Sequence, residues 1–141
     1  MITTIKNEIN RLFLLDKPIC LSFRQRAIFF SIALFWTIVI LLNKHVYRPY
    51  VCENNIDDMH IAYSCSGFFS VIAGVFFAYS IEKKQPFSCL GMVMLSEVAF
   101  LFYEVVMSYT FDYYDILSTL LGGYPAYLIL GFVLKKMKIY D

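Results

Sequence analysis

Apolar residues fall into four long blocks along this chain, separated by short polar stretches. The blocks cover about residues 27–46, 61–81, 87–108 and 116–134. An α-helix rises about 1.5 Å per residue, so about 20 residues cross a hydrocarbon layer about 30 Å thick. Each block meets that length, and lipid offers no partner for unsatisfied backbone groups, so the pattern predicts four membrane-spanning helices. Ahead of the first block, Ile2, Ile5, Ile9, Leu12 and Phe13 recur at three-to-four-residue spacing. Lys6, Asn7, Asn10 and Arg11 fall largely on the other side. That spacing predicts an amphipathic interfacial helix over residues 1–18, ended by Pro18. A cleavable signal peptide is not expected, because the apolar run starts only at Ala27 and no small-residue cleavage site follows it. The predicted fold is all-α. It is one polytopic membrane domain over residues 1–141, a four-helix transmembrane bundle preceded by an interfacial helix.

Composition agrees with that reading. The chain is 60% hydrophobic and 18% aromatic, and its 16% charged residues compare with about 25% in ordinary soluble domains. Mean hydropathy is +0.63. The net charge of +1 carries no bias towards nucleic acid, and the longest basic run is the KKMK after the fourth block. No nucleic-acid partner is expected; the lipid bilayer is.

Charge placement adds orientation. Of the 12 Lys and Arg residues, only Lys44, at the far end of the first block, and Arg48, in the stretch between the first and second blocks, fall on one side of the predicted membrane. All others precede the first block, join the second to the third, or follow the fourth. The positive-inside rule then places both ends of the chain in the cytoplasm. The polar segments bearing Glu53, Asp57, Asp58, Asp112 and Asp115 face outward. Tyr47, Tyr50, Tyr63, Tyr103, Tyr109, Tyr113 and Tyr114 gather at that outer boundary, as an interfacial aromatic belt does.

Small residues recur every four positions as Ser66, Ser70, Gly74 and Ala78 in the second block, and as Ser118, Gly122 and Ala126 in the fourth. In lipid, close approach along small residues is a main source of helix association. Spans two and four are therefore expected at helix–helix contacts, within the chain or between copies in a homo-oligomer. Pro125 removes a backbone bond inside the fourth span and predicts a kink or widening there.

Glu97 and Glu104 carry the clearest candidate chemistry. Seven residues apart, they return to nearly the same helix face about 10 Å from each other. Glu97 falls near the middle of its span, where an acid costs about 2.5–3.5 kcal/mol on insertion scales. It is expected to face the bundle, held neutral or hydrogen-bonded to a Ser or Tyr. Two roles fit it, interhelical glue or a proton, cation or ligand site. Glu104 lies nearer the outer boundary, at the depth of His60, Asp112 and Asp115. With Asp57 and Asp58 these could form an acidic outer vestibule. One histidine among loosely spaced acids is a weak metal signature, so no metal is assigned, and no cofactor. Asp115 also suits a helix start. No GxSxG, HExxH or P-loop pattern supports an enzyme. None of the four cysteines forms a CxxC pair, and a Cys52–Cys65 bridge is left open.

At these residues the chain resembles the VanZ-like family of small bacterial membrane proteins. The resemblance is best over residues 103–123, "YEVVMSYTFDYYDILSTLLGG". There Glu104 corresponds to the family's span-borne glutamate, Phe111, Asp112 and Asp115 to its acidic turn, and Gly122 to its glycine. Upstream, Asp58, His60 and Tyr63 resemble its aspartate-to-histidine helix start. Met107, Tyr109 and Thr119 stand where glutamine, arginine and asparagine are usual. The resemblance implies a bacterial inner-membrane, cell-envelope protein, in a family whose founding member is associated with glycopeptide antibiotic resistance. The expected function is binding of a lipid-linked or surface ligand at the outer leaflet through Glu104, Asp112, Asp115, His60 and Asp58. Two alternatives stand beside it. One is an immunity protein that blocks a pore-forming or membrane-targeted toxin by helix contact. The other is a small intramembrane transporter or hydrolase using Glu97 and Glu104.

Overall fold

The computed structural model describes residues 12–58, 60–107 and 113–139. In chain order it contains β1 (Leu14–Cys20), α1 (Phe23–Leu42), a π-helical turn (Asn43–Tyr47), α2 (Arg48–Glu53), α3 (Ile61–Ile81), β2 (Lys84–Phe87), α4 (Cys89–Met107) and α5 (Tyr113–Lys136). The helical stretches Phe23–Glu53, Ile61–Ile81, Cys89–Val106 and Tyr113–Lys136 are each long and apolar enough to cross a membrane. The chain is an all-α, multi-pass membrane protein.

α3 is the central helix. It packs against α1 on one side and α5 on the other, with α4 lying across α3 and α5. The α1–α3 seam is aromatic: Phe29 sits 5.1 Å from Tyr79 and 5.9 Å from Phe76 between ring centroids, and Trp36 stacks on Phe69 at 5.0 Å. The α3–α5 seam is the close one. A Cβ added to Gly122 would overlap the Phe68 backbone, and one added to Gly67 would meet the Ser118 and Thr119 hydroxyls. Small residues let these backbones approach, which is how helices associate in lipid.

Several boundaries differ from those expected. Residues 1–11 of the expected interfacial helix lie outside the described residues, but Leu14–Cys20 is a strand, not the end of a helix. The helix-period apolar positions stop at Phe13, and the strand starts just after them. β1 pairs antiparallel with β2, Ile19 opposite Gln85 and Cys20 opposite Lys84. Pro18 and Pro86, which lack a donor, are tolerated because a two-stranded sheet is all edge. The short polar connection between spans two and three thus holds the partner strand. α1 begins at Phe23 rather than Ala27, with Ser22 and Gln25 forming a reciprocal capping box.

The polar stretch from Tyr47, expected as a loop, stays helical to Glu53. A proline inside an α-helix clashes with the carbonyl four residues back. Here the wider π turn, in which the Arg48 N–H donates to the Asn43 carbonyl, comes immediately before Pro49. The third span begins at Cys89 rather than Phe87, and the fourth is longer than expected, with Pro125 inside it. The second matches its expected limits.

The chain is fastened where β1 lies. Leu21 N–H donates to the Lys83 carbonyl at 2.9 Å, and Arg26 Nη1 to the Ile81 carbonyl at 3.3 Å. Buried Gln85 donates to the Ala78 and Glu82 carbonyls, meeting acceptors that the end of α3 leaves unpaired. Ser88 begins α4: its Oγ accepts from Gly91 N–H and donates to the Leu12 carbonyl at 2.6 Å.

Candidate functional site

Because α1 and α4 both lean on α3 and hardly touch each other, a groove runs between them with α3 as its floor. Towards the middle of the helices it is mostly apolar. A cavity of about 330 Å³ is lined there by Thr37 and Ile40 of α1, Ser70, Gly74 and Phe77 of α3, and Phe100 of α4. It shares Ile40 and Ser70 with a second cavity of about 240 Å³. Asn43, Lys44 and Arg48 stand on one wall of that second cavity, Tyr103 and Glu104 on the other, and Ser66 and Gly67 on the floor.

Local structure explains why these side chains meet. Asn43 is 9% exposed, and its Nδ2 donates to the Ala62 carbonyl at 2.9 Å, tying the π turn to the first turn of α3. Lys44 and Arg48 follow on the same strip of helix. The Arg48 guanidinium lies 3.9 Å from the Tyr63 ring centroid, a cation–π contact that orients it. The groove hydroxyls turn their hydrogens inward: Ser66 donates to the Tyr63 carbonyl, Ser70 to Ser66 and Thr37 to Ala33. Their lone pairs are what they offer the groove.

The expected site residues divide between two places. Glu104 lines the groove, whereas Asp115, in the first turn of α5, is not among its lining residues. The Asp115 backbone carbonyl accepts from Ser118 and Thr119, both at 2.8 Å. Asp112 lies outside the described residues. His60 and Asp58 line a neighbouring pocket with Cys52, Asp57 and Tyr63, not the Glu104 groove. His60 takes a left-handed backbone, φ 63°, and its ring stacks on Tyr114 at 4.6 Å. Asp58 accepts from Ala62 N–H at 2.7 Å and so satisfies an amide at the start of α3. Among the described residues, no three His, Cys, Asp or Glu converge as metal ligands. Cys52 and Cys65 are free thiols, and Cys52 Sγ contacts Tyr63 Oη at 3.2 Å.

Glu97 faces the bundle. Its carboxyl covers Gly123 of α5 so closely that a Cβ there would overlap it. The fourth-span stripe also lies where it was expected, with Ser118, Gly122 and Ala126 buried towards α3. The second-span stripe behaves differently. Ser66 and Ser70 form the groove floor, and Gly74 receives the Phe100 ring. Gly67, one position off the stripe, makes the close approach to α5 instead.

Lys44, Arg48 and Asn43 are the site residues that spacing alone missed. In the sequence, Lys44 and Arg48 serve only to set orientation, at the end of the first block and in the polar stretch after it. The available signal was their rarity, since no other basic residue lies at this end. No protein-family model, curated protein or solved structure matches the chain.

Proposed function

We propose that this chain is a bacterial inner-membrane, cell-envelope protein of VanZ-like type that binds an amphiphilic, lipid-linked ligand in the groove between α1 and α4. Both ends of the chain are cytoplasmic in this reading, so the Lys44 end lies at the outer leaflet. One observation carries it: the groove changes from Phe77, Phe100 and Ile40 at mid-depth to Lys44, Arg48 and Glu104 at its end. Ligand sites are mostly apolar with a few convergent polar groups, and an amphiphile lying along a helix matches that gradient. The sequence expectation put Glu104, Asp112, Asp115, His60 and Asp58 in the site; of these, Glu104 lines the groove, opposite the two cations. His60 and Asp58 then serve the start of α3.

The test is retention of an amphiphile through gentle extraction, read by native mass spectrometry. The unmodified protein is expected to carry one amphiphile per chain. Ser70→Leu, which fills the floor without touching the α3–α5 seam, is expected to lose it while keeping its helix content. An unmodified protein that emerges bare would overturn the proposal.

A further inference from the structure

Among the described residues, the groove end joins two kinds of charge on opposite walls. Lys44 and Arg48 come from the α1 side, and Glu104 from α4. The cations are unusual in their placing. Basic residues are disfavoured on the translocated side of a membrane protein, and the only two in the outward segments of this sequence both line one cleft. A guanidinium placed over the Tyr63 ring brings a planar fork suited to a phosphate, and Lys44 adds a point charge in the same cleft. Across the cleft, carboxylates suit a cation, and an ammonium has three donors to give them. The apolar stretch by Phe77 and Phe100 leads away from the charged end, as a hydrocarbon tail would.

We infer that the ligand is a phospholipid whose headgroup bears a primary amine beside its phosphate, the phosphate lying against Lys44 and Arg48 and the ammonium against Glu104. This rests on the groove reading above and narrows it to one headgroup chemistry. A purely anionic lipid would leave Glu104 facing negative charge. A neutral glycolipid would leave both cations unanswered, and leaving a charged group without its hydrogen-bond partner is costly.

The experiment places the protein in nanodiscs of phosphatidylethanolamine, phosphatidylglycerol or a neutral diacylglycerol glucoside, and counts retained lipid by native mass spectrometry. Phosphatidylethanolamine is expected to be retained about tenfold over phosphatidylglycerol, the worth of one charge-assisted hydrogen bond. Both should exceed the glucoside. Glu104→Gln is expected to erase the first preference and keep the second. Lys44→Gln with Arg48→Gln is expected to erase the second, and Arg48→Lys to restore part of it, separating charge from folding. Equal retention of all three lipids by the unmodified protein would overturn the headgroup assignment and leave the groove reading standing. No retained lipid at all would overturn both. Displacement of the lipid by soluble phosphoethanolamine alone would overturn the lipid assignment in favour of a free headgroup.

Discussion

Gly122 and Gly123 are neighbours on α5, yet a methyl group added to each meets a different obstacle. At Gly122 it meets the Phe68 backbone, which cannot move without shifting α3. At Gly123 it meets the Glu97 carboxyl, the end of a side chain with rotatable bonds. Gly122→Ala is therefore expected to destabilise by about 1–3 kcal/mol, the usual cost of overpacking a tight contact. Gly123→Ala is expected to cost less, and its cost should shrink further in a Glu97→Ala background. A double-mutant cycle in detergent unfolding checks this, with a coupling of about 0.5–3 kcal/mol expected between 97 and 123. Additive effects would place Glu97 elsewhere. That Glu97 faces the bundle was legible from the sequence, because an acid at mid-span cannot face lipid cheaply. That its neighbour is Gly123 was not, because spacing along one helix says nothing of the register between two.

Helical spans were legible as elements because hydrophobic length is a local property of the chain. α3 shows this best, its limits following directly from the apolar run between His60 and Glu82. β1 and β2 were hidden because their pairing joins residues far apart in sequence, and neither segment alternates clearly enough to announce a strand. The continuation through Pro49 was hidden for another reason: a proline after a polar loop signature reads as a stop until the π turn makes room for it. The sheet is directly testable, since its register puts Cys20 opposite residue 84. Paired strand residues lie about 4.5–5.5 Å apart between Cα atoms, within disulfide range. Lys84→Cys is expected to form a bond with Cys20 under mild oxidation, visible as a shift on non-reducing electrophoresis that is lost in Cys20→Ser. Failure to crosslink would refute the register.

At the scale of the molecule, charge distinguishes the two ends. Arg24, Arg26, Lys83, Lys84, Lys135 and Lys136 lie at or near the ends of α1, α3, β2 and α5 around the sheet, while Lys44 and Arg48 lie at the opposite end of α1. Reporters fused after Lys84 and after Lys138 are expected to read as cytoplasmic, and one inserted between Asn54 and Asn55 as external. An external signal after Lys84 would reverse the proposed orientation and move the groove's charged end to the inner leaflet. The bundle could be foreseen from patterning, but the groove could not. It exists because α1 and α4 share α3 as a support without meeting, and three-helix relations of that kind leave no periodic trace in the sequence.

Fastening β1 to β2 has a mechanical consequence for the groove. At the β1–β2 end, the Leu21–Lys83 and Arg26–Ile81 bonds fasten the start of α1 to the end of α3, and Ser88 on Leu12 fastens the start of α4 to the chain just before β1. α1 and α4 are therefore both anchored at the sheet, and α1 again at its far end, where Asn43 holds the Ala62 carbonyl. The groove's charged end, between Lys44 and Glu104, is the end farthest from the sheet. In the proposed reading a guest's tail then points towards the sheet, and its charged end lies where the sheet ties neither wall.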